Sequence, residues 1–169
     1  MTRIGLFSDT HGFLDPAISE HLKDCDEIWH AGDFGTIRLV EDLESVFKKA
    51  GRTIQIRGVY GNIDGNDIRS RFPLQSVFQV EGVKVMMQHI GGYPGRYAPG
   101  IKNYIAQNDI RLFISGHSHI LKIMYDDQLN CLHINPGAAG KQGWHKVKTL
   151  VRLVIDGSDM KNCEVVELN

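Results

Sequence analysis

The spacing of apolar and polar positions changes several times along the chain, and each change marks an element. Residues 3 to 8, RIGLFS, form an apolar run that stops at Asp-Thr-His-Gly, the pattern of a strand ending in a turn. Asp15-Pro16 sets an N-cap residue before a proline at the first helical position and predicts a short helix to about residue 22. Residues 27 to 31 predict a second strand, which stops at Gly32-Asp33. Thr36 is the predicted cap of a longer helix, in which Leu39, Val40, Leu43, Val46, Phe47 and Ala50 follow helical spacing and Gly51 supplies the stop. A third strand over 53 to 59 ends at Gly61-Asn62-Ile63-Asp64. Strands over 76 to 80 and 83 to 88 flank Glu81-Gly82 as a hairpin, and the second ends at His89. A glycine- and proline-rich loop, IGGYPGRYAPG, precedes a short helix over 101 to 107. The strand over 111 to 115 then delivers Gly-His-Ser-His, and strands over 121–125, 131–135, 148–155 and 163–168 alternate as antiparallel strands do.

Strand–helix alternation first and strands last predicts a mixed α/β fold, two packed β-sheets with helices outside. The 169 residues suit one domain over residues 1 to 169, with roughly 70% of the unfolded surface buried on folding. The net charge is −1 with no block of like charges, so electrostatics give no case for a nucleic-acid or anionic-membrane surface. No apolar stretch approaches the ~20 residues that span a bilayer, and the first apolar run is too short for a signal peptide. Cys25, Cys131 and Cys163 are odd in number, far apart and without a C-x-x-C pair. They read as small buried apolar residues in a reducing compartment, the cytoplasm, with neither a structural zinc site nor a disulfide framework.

The polar residues at the strand ends change the picture. Asp9 and His11 follow the first strand, Asp33 the second, Asn62 the third, His89 a later one, and His117 with His119 another. Taken alone, His117 and His119 are two rings in a polar loop. If the first half of the sheet is parallel, however, its carboxyl-end loops gather on one edge, where α/β proteins place ligands. Seven metal-capable side chains then converge. Imidazole, carboxylate and amide oxygen without thiolate suit manganese, iron, cobalt, nickel or zinc. Seven ligands exceed one tetrahedral zinc and suit two ions with a shared ligand. Two divalent ions about 4 Å apart repel by on the order of 16 kcal/mol at an effective dielectric of ~20, so a bridging anion is required. Two ions (+4) with Asp9, Asp33 and a hydroxide (−3) leave about +1, a local positive charge suited to a phosphate oxyanion.

SDTHG, HAGDF, GNID, the lone His89 and SGHSH, in this order, resemble the calcineurin-like metallophosphoesterase superfamily. The short chain and early GNID are similar to its small YfcE-like phosphodiesterase branch, whose fold also occurs in a retromer scaffold subunit. The resemblance implies a two-sheet β sandwich flanked by helices, in four layers. It also implies Asp9, His11, Asp33 and His119 on one metal and Asp33, Asn62, His89 and His117 on the other, with Asp33 bridging. The implied activity is hydrolysis of a small phosphodiester, or a phosphomonoester, by in-line attack of a metal-bridging hydroxide. Asn62 serves there as both ligand and neighbour of a substrate oxygen. Manganese is the first choice of cofactor. Two positions depart from the pattern: many relatives carry a histidine after the asparagine, where this chain has Ile63, and others a glycine after the metal histidine, where it has Ile90.

Among the remaining residues, Asp64 reads as a structural loop residue, His30 as a candidate to brace a ligand, and His133 as a hydrogen-bonded core histidine. His21 and His145 read as solvated, and Arg96 as a surface arginine. A non-catalytic scaffold of the same fold is the rival function; a nuclease is disfavoured by the lack of a basic groove. A homo-oligomer is compatible with the sequence.

Overall fold

The computed structural model describes residues 1–168. In chain order the elements are β1 (Thr2–Phe7), α1 (Pro16–Leu22), β2 (Glu27–His30), α2 (Ile37–Lys49), β3 (Gln55–Gly58), α3 (Asn66–Arg69), β4 (Gln75–Val80), β5 (Val83–Gln88), β6 (Gly92–Tyr93) and β7 (Arg96–Tyr97). They continue with α4 (Ile101–Asn108), β8 (Leu112–Ile114), β9 (Leu121–Asp126), β10 (Cys131–Pro136), β11 (Lys148–Asp156) and β12 (Asp159–Leu168). One five-stranded sheet has the order β12-β11-β1-β2-β3 and the other β4-β5-β8-β10-β9. Strands β1, β2 and β3 run parallel, as do β5, β8 and β10.

Period-two burial builds the layers. Ile4 and Leu6 of β1 point between the sheets with Trp29, Val85, Leu112, Ile134 and Leu153. Phe7 points the other way, into a core with Ile18, Leu22, Leu43 and Phe47 of α1 and α2. On the outer face of the second sheet, Met86, Phe113 and Cys131 pack against Ile101 and Ile105 of α4. The result is the expected sandwich of two sheets between helices. Asp15 caps α1 by accepting the Ala17 N–H at 2.9 Å. Thr36 occupies the N-cap of α2 in extended conformation, but its side chain makes no capping bond, so its predicted capping role is corrected.

Three further differences have local causes. Helix α3 is a single turn, too short for a periodic signal. The two-residue strands β6 and β7 sit inside the predicted loop. Strand β12 begins at Asp159, because β11 and β12 pair to the end of a tight hairpin whose first residues are polar. Since β12 is an edge strand, Cys163 on it is exposed, and only Cys25 and Cys131 are the buried thiols expected. Among the described residues no helix is long and apolar enough to cross a membrane.

Candidate metal centre

Each of the seven candidate residues lies within five positions of the carboxyl end of β1, β2, β3, β5 or β8. Backbone hydrogen bonds then stitch these loops together. Asp9 N–H donates to Gly32 O at 3.0 Å, His11 N–H to Asp33 O at 3.0 Å, and Gly116 N–H to His89 O at 3.0 Å. His117 N–H donates to Asp9 Oδ2 at 3.1 Å, joining the two sheets' loops. Gly61 has no room for a side chain, since a Cβ there would lie 2.0 Å from Asp33 Oδ1; one on Gly32 would lie 2.4 Å from the His89 ring.

The loops are also strained. Nine described non-glycine residues have positive φ, and five of them are Asp9 (54°), His11 (47°), Asp33 (56°), His117 (69°) and His119 (60°). Left-handed backbone at such residues costs on the order of 1–3 kcal/mol each and persists where the surroundings over-determine it, typically at functional sites.

Two groups result, Asp9 with His11 and His119, and Asp33 with His89 and His117, each with its ligand atoms within 4.8 Å of one another. One atom lies between them: Asp33 Oδ2 is 3.5 Å from His11 Nε2 and 3.3 Å from His89 Nε2. Asp9 Oδ1 is 3.1 Å from His119 Nε2, and Asn62 Oδ1 is 3.0 Å from His117 Nδ1. All seven candidates are therefore brought together.

The buried atoms fit cations. Asp9 Oδ2 accepts from Ser8 Oγ at 2.7 Å, while Asp9 Oδ1 is buried with His119 Nε2 as its one polar neighbour within 3.5 Å. His89 Nδ1 donates to Ala31 O at 2.7 Å, which leaves its lone pair on Nε2; that nitrogen and His11 Nε2 are buried and unpartnered. Buried polar atoms are nearly always paired, and these three inward atoms, two of them histidine nitrogens facing Asp33 Oδ2, are a donor set for divalent ions.

Electrostatics agree. Burial pushes the Asp33 carboxyl up, but His89 in its protonated form, 3.3 Å away, outweighs that through its N–H and charge and holds Asp33 below the usual carboxylate range. Burial pushes His89 down, and Asp33 with Asp9 more than reverses it. Asp9 lifts His119 above the ordinary imidazole value. Ligating imidazoles must be neutral, so protons compete with metal from somewhat above pH ~6.5 downward. Ions retained per chain are expected to decline through that range. Full occupancy after equilibration at about pH 4.5 would contradict this, because an unperturbed imidazole is there almost fully protonated.

Supporting residues fall into place with two corrections. Asp64 is buried, with Oδ1 accepting from Gly35 N–H at 2.9 Å and Oδ2 from Phe34 N–H at 3.2 Å and Gly61 N–H at 2.8 Å. It ties the Asp33 loop to the Asn62 loop. Asp64→Ala is expected to lower stability by on the order of 3 kcal/mol, since three buried donors lose their partner; thermal unfolding checks this. His30 braces backbone rather than a ligand side chain: Nδ1 accepts from Gly32 N–H at 3.1 Å and Nε2 meets Thr10 Oγ1 at 2.9 Å. Burial pushes it down to about 3, so it stays neutral.

His145 is not a solvated histidine. Its ring lies 5.3 Å from that of His119 and its Nε2 is 2.8 Å from Gly140 O. Nothing in the spacing of Gly143, Trp144 and His145 signalled this, because the contact depends on how the loop before β11 folds back. His133 is buried in the core as expected, beside the Phe113 backbone, though neither ring nitrogen makes a well-formed hydrogen bond. Arg96 is exposed.

No curated protein matches the chain in sequence. Solved structures do match in fold. A structure described as a novel archaeal phosphodiesterase is 22% identical with a TM-score of 0.74, covering 98% of this chain and 99% of that one. A conserved Streptococcus pneumoniae protein, described as a predicted phosphoesterase, is 21% identical with a TM-score of 0.70, covering 98% of this chain and 89% of that one. Entamoeba histolytica Vps29 complexed with zinc is 18% identical with a TM-score of 0.72, covering 99% of each chain. The family model of the calcineurin-like phosphoesterase superfamily domain matches residues 2–158, most of the length, and the chain belongs to that superfamily.

Proposed function

We propose that the chain, as one catalytic domain over residues 1–169, is a dinuclear metal-dependent phosphoesterase that hydrolyses small phosphodiesters in the cytoplasm. The observation that carries this is Asp33 Oδ2 between two ligand groups whose inward atoms are buried and unpartnered. Asp9, His11, Asp33 and His119 would hold one ion, and Asp33, Asn62, His89 and His117 the other. Manganese is the first choice, with nickel, iron, cobalt and zinc also matching the nitrogen and oxygen donors; zinc is the ion complexed with the Entamoeba relative. When bound, the two ions supply an activated water and positive charge for the phosphoryl oxygens.

The chain's own residues do the rest. Ser8 and the His117 N–H hold Asp9 Oδ2, turning Oδ1 free. Ala31 O fixes the tautomer of His89. The Asn62 amide is exposed beside His117, where its NH₂ can donate to a substrate oxygen and orient the ester. The decisive experiment reconstitutes the protein with each metal, counts ions, and assays aryl phosphodiesters and monoesters. Two ions per chain with diester turnover is the expected result. A protein that loads two ions and cleaves neither ester would sink the enzyme reading.

The second reading is a non-catalytic metal-binding scaffold. It is favoured by the exposed apolar run Ile120, Leu121, Ile123, Met124 and Tyr125 beside the site and by Vps29 among the structural relatives.

A further inference from the structure

A cavity of about 240 Å³ opens beside His117, lined by Ile90, Tyr93, Lys122 and His133 among others. Because His117 belongs both to this cavity and to the metal centre, a group attached to phosphorus at the centre reaches into it. The volume is below the ~300–1,000 Å³ that holds a whole drug-sized ligand, so it admits one ring-sized substituent of a larger molecule. Ile90, the residue that departs from the glycine of many relatives, is 47% exposed and gives the mouth an apolar face. Lys122 Nζ stands 3.7 Å over the Tyr93 ring and brings a cation to that wall.

The polar chemistry is specific. His133, on β10 and 1% exposed, has one ring nitrogen toward the Phe113 backbone and no well-formed hydrogen bond at either nitrogen. Burial pushes its imidazole down to about 4, so at neutral pH it offers one N–H donor and one acceptor. The two ring nitrogens point well apart, so one ligand edge meets only one of them, and a buried nitrogen left without a partner is costly. An adjacent N–H and C=O on a flat ring suits this wall, the N–H donating to the free His133 nitrogen and the C=O accepting from Lys122.

We infer that this cavity receives the ester group of a phosphodiester and selects a planar, amide-bearing heterocycle of the nucleobase class, read by His133 and Lys122. The inference rests on the phosphoesterase reading of the adjacent centre. It also fits a single nucleoside rather than a polynucleotide, since a chain of net charge −1 provides no basic track for a strand.

The test uses two esters with the same leaving group, thymidine 5′-p-nitrophenyl phosphate and methyl p-nitrophenyl phosphate, on the manganese-loaded protein. The ratio of kcat/KM should favour the thymidine ester by roughly tenfold or more, the scale of one recognised base. Lys122→Met and His133→Phe should each cut that ratio several-fold at unchanged metal content; Lys122 lies on an edge strand, so its variant reports even if His133→Phe fails to fold. Separately, thymidine 5′-monophosphate should shift the His133 ring nitrogen signals in NMR. Equal cleavage of both esters, with no shift at His133, overturns the inference while leaving the phosphoesterase reading intact. If neither ester is cleaved, the phosphoesterase reading fails, and the NMR arm alone decides whether the cavity binds a base.

Discussion

Asp33→Asn is expected to cut bound metal from two ions per chain to one or none, and phosphodiester hydrolysis by more than ~100-fold. The bound is conservative, because losing a group that merely orients a ligand already costs 10–100-fold. Asp33 Oδ2 lies within 3.5 Å of one histidine from each group, so both sites share it. An amide keeps the shape and can still accept the Ile63 N–H that Asp33 Oδ1 receives at 3.1 Å, which preserves the loop. It removes the negative charge that would offset two neighbouring cations. Elemental analysis, with thermal unfolding to show that the fold survives, decides it. One tightly held ion unaffected by the substitution would contradict a shared carboxylate.

Why Asp33 could be singled out from sequence, and His145 could not, follows from how each is placed. Asp33 ends an apolar run, and strand ends in a parallel sheet converge whatever the loops do; the order of Asp9, Asp33, Asn62, His89 and His117 along the chain was therefore enough to foresee a cluster. The strands themselves were legible because burial alternates cleanly, as in β1, where Ile4 and Leu6 face one core and Phe7 another. His145 reaches His119 only because the loop before β11 folds back over the site, a tertiary event with no periodic trace. Strain was equally hidden. Aspartate and histidine tolerate left-handed backbone, but what holds His11 at φ 47° and His117 at 69° are the cross-loop hydrogen bonds of their N–H groups to Asp33 O and Asp9 Oδ2. The cavity beside His117 was invisible for the same reason: Ile90 and Tyr93, Lys122, and His133 come from three separate segments.

Activated aryl phosphodiesters are expected to be cleaved far faster than alkyl ones, with a steep dependence on leaving-group pKa. The cause is Ile63. Where many relatives carry a histidine after the asparagine, this chain has a 45% exposed hydrocarbon side chain at the rim of the site, and its only polar contribution there is the backbone N–H to Asp33. Proton donation to a leaving oxygen is worth ~10²–10⁴-fold, so without it a basic alkoxide must depart with help from cations or solvent alone. Diesters are expected to react better than monoesters, because a diester monoanion needs less positive charge than a monoester dianion, and two ions with Asp9, Asp33 and a hydroxide would leave only about +1. Ile63→His should flatten the dependence and raise the rate on alkyl diesters by at least ~10-fold, with little change for the most activated aryl esters. The measurement is kcat/KM across graded aryl and alkyl diesters and monoesters, for wild type and variant at matched metal content. A flat dependence in the wild type would mean that another group already donates the proton. His145, 5.3 Å ring to ring from His119, is the nearest such group not already assigned to a metal, and His145→Phe would then steepen the slope that Ile63→His leaves unchanged.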